Sequence, residues 1–251
     1  AVPVWGWALA AVAVLGSMLS KKQTLHSGAG AIYSADQGLQ EGAGIYNLNT
    51  FGMGDVREYN KEGQSLASGI ATGLGATLDG LAKSFGQKAG YEVATAFADD
   101  TSKDGAWGAL RISKDGKDLL NWDDTRTSRW APREFADGEA GQKEYLAAIA
   151  KDTRQVLLDM DLPAWADTLL INIGEVADME KLSAAVAQIG QAQAAFEAFG
   201  QYMPTFGDMA DSAHSALVKA SGGIAALTGN MATFVDNFYT DGEKLAVNTE
   251  N

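Results

Sequence analysis

Residues 91–122 read YEVATAFADDTSKDGAWGALRISKDGKDLLNW. Tyr91, Val93, Thr95 and Phe97 alternate with Glu92, Ala94 and Ala96, the period-two pattern of a strand. The polar run DDTSKDG closes it, and Trp107 to Lys114 forms a second strand. Asp115–Gly116 is a two-residue hairpin turn, because its backbone needs positive φ. Lys117 to Trp122 then returns as a third strand. An antiparallel meander over 91–123 is therefore expected.

Downstream of it, 123–138 is a charged connection containing Arg126, Arg129 and Arg133, and helices follow. From about Glu139, Ile149, Thr153, Val156 and Met160 share one helical face. LPAWADTLLINIG (162–174) is a short helix with Pro163 in its first turn and Gly174 at its stop. Asp178 is placed to cap a long helix reaching Met203, with Leu182, Val186, Ile189 and Phe196 inward and Pro204 as its breaker. A helix from Phe206 to Ala220 ends at Gly222–Gly223, and a last one holds Ala225, Phe234, Phe238 and Leu245.

Upstream, Leu66, Ile70, Leu74, Leu78, Leu81 and Phe85 recur at helical spacing within 64–85. Ser65, Gly69 and Gly73 recur every fourth residue beside them, and small residues so spaced let helix backbones approach closely. That stripe predicts a partner helix, in a membrane or in water, and self-association of the chain as a homo-oligomer. Residues 23–63 are Gly-rich, short of bulky apolar side chains, and read as loops around brief elements.

Residues 1–20, AVPVWGWALAAVAVLGSMLS, hold no charge. At ~1.5 Å per residue a helix of that length spans roughly 30 Å, a bilayer core. Trp5 and Trp7 at one end and Lys21–Lys22 at the other suit membrane interfaces. The membrane-contact residues are then Val4, Trp5, Trp7, Leu9, Val12, Val14, Leu15 and Leu19. A buried helix in a larger assembly is the rival reading. No basic stretch precedes the run, as a signal peptide would require. A chain opening at Ala1 is expected to be a piece of a longer product or a processed one.

Together these readings predict a mainly α protein with a small antiparallel β-meander, an α+β fold, and an apolar N-terminal helix. Its expected divisions are 1–22, an apolar membrane-competent helix; 23–90, a Gly-rich segment with the small-residue helix; 91–123, the meander; and 124–251, an acidic helical region. The charge supports a change near Gly90. Residues 1–90 hold six basic and six acidic side chains and are neutral, so the whole net charge of −13 falls on 91–251. An acidic surface repels phosphate backbones, so sequence-specific nucleic acid is not an expected partner.

Catalytic and metal chemistry finds little footing in the 251 residues. The absence of cysteine excludes thiolate zinc sites, iron–sulfur clusters and cysteine nucleophiles, and with only His26 and His214 a His cage is nearly excluded. There is no phosphate-binding glycine loop, no HExxH and no GxSxG elbow. His214 beside Asp211 lacks a nucleophile at suitable spacing and reads as a helix-surface residue. Asp100, Ser102, Asp104 and Gly105 match the first half of a calcium loop, but its twelfth position, Arg111, would set a positive charge against the ion. Pairs such as Asp123–Asp124 and Glu134–Asp137 are what chance gives with 32 acidic residues. No catalytic, cofactor or metal residue is assigned, and the chain is expected not to be an enzyme.

Four stretches are more specific. Residues 217–246, LVKASGGIAALTGNMATFVDNFYTDGEKLA, place a Gly–Gly helix stop, a short apolar helix and an F-x-x-x-FY cluster before an acidic helix start. This segment resembles one in tail tape measure proteins of long-tailed bacteriophages. DLPAWADTLL (161–170), FGQYMP (199–204) and the opening VPVWGWALAAVAVLG (2–16) are similar to the same family. The resemblance implies a largely helical structural protein in the lumen of the tail tube or at its tip. Such a protein helps set tail length, contacts tail-tube and tail-tip or baseplate proteins, and leaves ahead of the DNA to enter the host envelope. A meander followed by acidic helices departs from a uniform rod, so this chain would be the membrane-active and globular part. The alternative is a cellular membrane-anchored binding module with an acidic soluble domain.

Overall fold

The hairpin at the centre of the sequence reading anchors the fold in the computed structural model, which describes residues 28–41, 61–99, 106–122, 133–136, 138–174, 178–207 and 209–244. Asp115 and Gly116 have φ of 51° and 77°, the left-handed pair that a two-residue turn needs. They join β4 (Ala106–Lys114) to β5 (Lys117–Asn121). Ahead of β4 runs β3 (Tyr91–Asp99), paired antiparallel with Val93 opposite Ile112 and Thr95 opposite Leu110. The three meander strands are where the alternation put them.

The sheet extends beyond them in both directions. A hairpin of β1 (Gly28–Ser34) and β2 (Gly38–Glu41) lies upstream, and β1 pairs along β3 from Gly28–Ala98 to Ser34–Glu92. Downstream, β6 (Arg133–Phe135) pairs with the start of β4, end to end with β5 on one edge. The six antiparallel strands run in the order β2-β1-β3-β4-β5, with β6 also on β4.

The sheet crosses two of the expected divisions. The boundary at Gly90 falls inside one sheet, because β1 supplies the neighbour that β3 needs on its inner edge. Residues 124–251 are not purely helical, since β6 completes the outer edge of β4. Both strands lacked a signal for physical reasons. The inward residues of β1 are Ala29, Ala31 and the half-buried Tyr33, and the two alanines are too small to contrast with their glycine neighbours. The strand β6 is three residues long and two of them are charged.

Helices cover one face of the sheet. The 24-residue α1 (Lys61–Ser84) packs on β1 and β3, and its Leu66, Ile70, Leu74, Leu78 and Leu81 enter the core, each 5% exposed or less. Asp79, buried near its C-terminal end, ties α1 to the sheet. Its Oδ1 accepts the N–H groups of Gly90 (2.9 Å) and Tyr91 (3.0 Å) at the start of β3. Beside α1 on the same face lies α2 (Gly138–Leu158), whose Ile149, Thr153 and Val156 are buried as the periodicity requires. The helix ends before Met160, which packs in the core from the following turn.

The remaining helices build outward from these two, the next two packing on them and the last three on that second pair. Pro163 stands just ahead of α3 (Ala164–Asn172), and Gly174, at φ 77°, follows its end. Asp178 caps α4 (Met179–Tyr202), its Oδ1 accepting the Lys181 N–H at 2.8 Å. Met203 intervenes before the single turn α5 (Pro204–Gly207), and α6 (Asp211–Ala220) follows. The single helix expected over 206–220 is therefore two pieces. Gly207 lies against Gly200 of α4, where a Cβ on Gly200 would stand 3.2 Å from the Gly207 Cα, so the chain turns back tightly there. Gly222 and Gly223, both at positive φ, separate α6 from α7 (Ile224–Phe238). Phe234 of α7 packs inward, Phe238 is 72% exposed, and Leu245 lies outside the described residues. Among the described residues one large apolar cluster runs from Leu66 through Phe97 and Tyr145 to Phe196 and Met231.

Candidate interaction surface

The sequence-derived residues sort into three groups. Val4, Trp5, Trp7, Leu9, Val12, Val14, Leu15 and Leu19 all lie outside the described residues. No helix among the described residues is long and apolar enough to cross a membrane. The small-residue stripe lies on α1, where Ser65 is exposed, Gly69 half-buried and Gly73 buried. The close approach of α1 is made to a sheet, by a neighbouring row. Ala67 and Ala71 pack on Ala31, and a Cβ on Gly75 would come within 2.5 Å of the Tyr33 ring. Within its own chain the helix thus meets the sheet on this row, and it also contacts the helix over Met179–Tyr202.

The chemical candidates are occupied structurally. His214 stacks on Phe196 (centroids 5.3 Å apart) and tilts against Phe206 (4.7 Å). Its Nε2 lies 3.0 Å from the Phe206 carbonyl, so the ring joins α6 to α5. Arg111, at the twelfth position of the half calcium loop, donates from Nη2 to Glu92 Oε1 at 2.7 Å. Asp100, Ser102, Asp104 and Gly105 lie outside the described residues, as do Asp123, Asp124 and Asp137. Among the described residues no group of three or more acidic or imidazole side chains is arranged to hold a metal.

Sequence reasoning missed the polar pins of the core. Tyr145 of α2 is fully buried, and its hydroxyl bonds with Thr95 Oγ1 and donates towards the carbonyls of Ala96 (3.1 Å) and Ala109 (3.3 Å). Its ring fits only because position 108 is glycine, where a Cβ would stand 2.4 Å from Tyr145 Cδ2. Asp152, also on α2, accepts from Trp122 Nε1 at 2.6 Å and pairs with Arg133 at 2.7 Å. The Arg133 guanidinium lies 4.2 Å above the Trp122 ring. Asp152 so holds β6 and the end of β5 to one helix. No local signal announces such contacts, since the partners lie far apart in the chain.

Titration shifts follow from the same packing. Burial and the nearby Asp161 carboxylate push the Asp167 carboxyl up. Burial, then Asp79, raises the Tyr91 phenol. The Lys181 N–H holds Asp178 below its ordinary value. On the surface Lys88 and Asp115 stabilise each other's charge across 2.8 Å.

The second face of the sheet is chemically distinct. Pairing puts Gly30 and Ile32 of β1, Glu92, Ala94 and Ala96 of β3, and Ala109, Arg111 and Ser113 of β4 on it. Its centre is small and apolar, and the Arg111–Glu92 ion pair marks one end. Both α1 and α2 lie on the opposite face, yet Ala94, Ala96 and Ala109 are 0%, 0% and 1% exposed. Comparison with protein-family models, curated proteins and solved structures finds no match for the chain.

Proposed function

We propose that this chain is a non-catalytic structural segment of a phage tail, of the tape measure kind, ejected ahead of the genome to assist its passage across the host envelope. The observation that carries the reading is the 217–246 segment, with its Gly222–Gly223 stop, apolar helix and aromatic end. That end is tied back to the end of α4, since the Tyr239 hydroxyl donates to the Tyr202 carbonyl at 2.6 Å. The charge-free run 1–20, followed by Lys21–Lys22, supplies a segment suited to a bilayer. The proposed partners are tail-tube and tip or baseplate proteins, further copies of the chain, and the host membrane on ejection.

Mass spectrometry of purified tailed particles, before and after triggered ejection, tests this. Peptides from 103–154 should be present in full particles and depleted in emptied ones. Their absence from particles and presence in cell membranes would replace this reading with a membrane-anchored binding module. The membrane step is tested separately by flotation of the full chain with liposomes. Ala10→Asp with Val14→Asp should abolish flotation, since each charge costs about 2.5–3.5 kcal/mol at a helix centre.

A further inference from the structure

We infer that the junction Gly222–Gly223 is a two-state hinge through which α7 leaves its own body and docks on a second copy of the chain, with α6 and α7 joined into one helix. The inference does not rest on the proposed tail function. The turn is held by backbone alone. The Gly223 N–H donates to the Val218 carbonyl at 2.9 Å and the Gly222 N–H to the Lys219 carbonyl at 3.2 Å, the paired bonds that close a helix on a left-handed residue. Gly222 and Gly223 have φ of 83° and 119°, and a Cβ on either would meet nothing within 4 Å. The glycines are therefore needed for their backbone angles and not for space. Glycine adopts positive φ about as readily as negative, so the same two residues also fit a continuous helix. The turn leaves the last carbonyls of α6 and the first amides of α7 without intrahelical partners, and no side chain caps α7. A helix over 211–238, roughly 42 Å long at ~1.5 Å per residue, would pair them.

What α7 covers decides where it goes. It packs on α4 and α6, buries Leu227 and Met231, and sets Phe234 edge-on to Phe199 of α4 at 5.7 Å. Just past its end, Tyr239 meets Tyr202, the ring centroids 5.1 Å apart, and its hydroxyl caps one of the last carbonyls of α4. Two buried residues over the 15 of α7, against ten over the 24 of α4, make it the more lightly held helix. A free α7 would leave Leu227, Met231, Phe234 and the Phe199 ring in water, which is costly. A straight junction carries α7 out of reach of its own groove. A second copy offers the same groove of α4 and α6 to the same helix, so each contact, the Tyr239–Tyr202 bond included, is remade between chains. The occupant is therefore another copy of this chain, and the exchange is favoured at high concentration.

Substitution at the hinge sets the direction of the test. Alanine is strained at positive φ and favours a helix over glycine. In the full chain, Gly222→Ala with Gly223→Ala should therefore shift the balance from turn to straight helix by at least about tenfold. Gly222→Asn is the control and should behave as the parent, since asparagine tolerates the left-handed region. The lack of cysteine gives a specific readout. Chains carrying Tyr202→Cys are mixed with chains carrying Tyr239→Cys, unfolded in urea, refolded together and treated with a short bis-maleimide. With the two alanines, a 202–239 link between chains should form at least about tenfold more than with the two glycines, and it should rise with protein concentration. One chain bearing both cysteines should link internally with the glycines and lose that link with the alanines. An alanine variant that stays monomeric by light scattering would overturn the inference. So would dimers that keep the 202–239 link inside each chain, which would show association through another surface. Should the alanine variant not fold, the glycine chains decide alone. Refolding them at rising concentration should raise the interchain link, and a link that stays internal at every concentration rejects the exchange.

Discussion

At single positions, stability rests on a few polar groups that face inward. Tyr145→Phe removes the hydroxyl shared by Thr95, Ala96 and Ala109, and should cost about 1–3 kcal/mol. The loss would appear as a lower urea midpoint with an unchanged slope. Gly108→Ala forces a methyl into the same ring and should cost about 1–3 kcal/mol by overpacking. Asp178 gives a pH-dependent counterpart. Its folded pKa is depressed below the ordinary 3.8, so its contribution is complete above that value and lost as pH falls through the lower folded value. Asp178→Ala should therefore lower stability by about 1 kcal/mol at neutral pH. The difference from the parent chain should close as pH falls below the ordinary 3.8 in acid-unfolding curves. The cap was legible because Asp before a periodic apolar run is a local signal. Tyr145 was not, because nothing in its neighbourhood reports three partners on other elements.

Among the elements, the β4–β5 hairpin was readable from Asp115–Gly116 and from the alternation on both sides. The β1 strand was not, because alternation needs contrast and Ala29 and Ala31 give little against glycine. The small-residue row of α1 was visible, but its partner was not. Spacing alone reports that something comes close, and here the row that meets it, Ala67, Ala71 and Gly75, faces a sheet. Asp79 shows how tightly helix and strand are joined. Asp79→Ala would leave the Gly90 and Tyr91 amides without their acceptor, at about 1–3 kcal/mol. Hydrogen exchange should quicken at those two amides, and α1 should lose protection at its C-terminal end first.

For the molecule as a whole, the sheet and both helical layers share one apolar cluster. A fragment of 91–251 keeps the meander but loses Leu66, Ile70, Leu74, Leu78 and Leu81 together with β1. Those side chains, at about 1.5–3 kcal/mol each, are comparable with a whole net stability of about 5–15 kcal/mol. The fragment should show no cooperative thermal transition in calorimetry, whereas the full chain should show one. The neutral and acidic stretches meeting at Gly90 are thus a difference of surface within one folded body. The mainly α architecture with an antiparallel sheet was legible. Its true extent was not, because strand pairing across α1 leaves no trace in local pattern.

The outer strands of that sheet carry a last consequence. On one side β2 is four residues long, ending in Gln40 and Glu41. On the other, β5 is short, opens with Lys117 and Asp118, and is interrupted by a register shift opposite Ile112 and Ser113. Short, charged or irregular borders make poor templates for a foreign strand. Many copies held at high local concentration should therefore not grow through these borders into ribbon-like aggregates that add one sheet to the next.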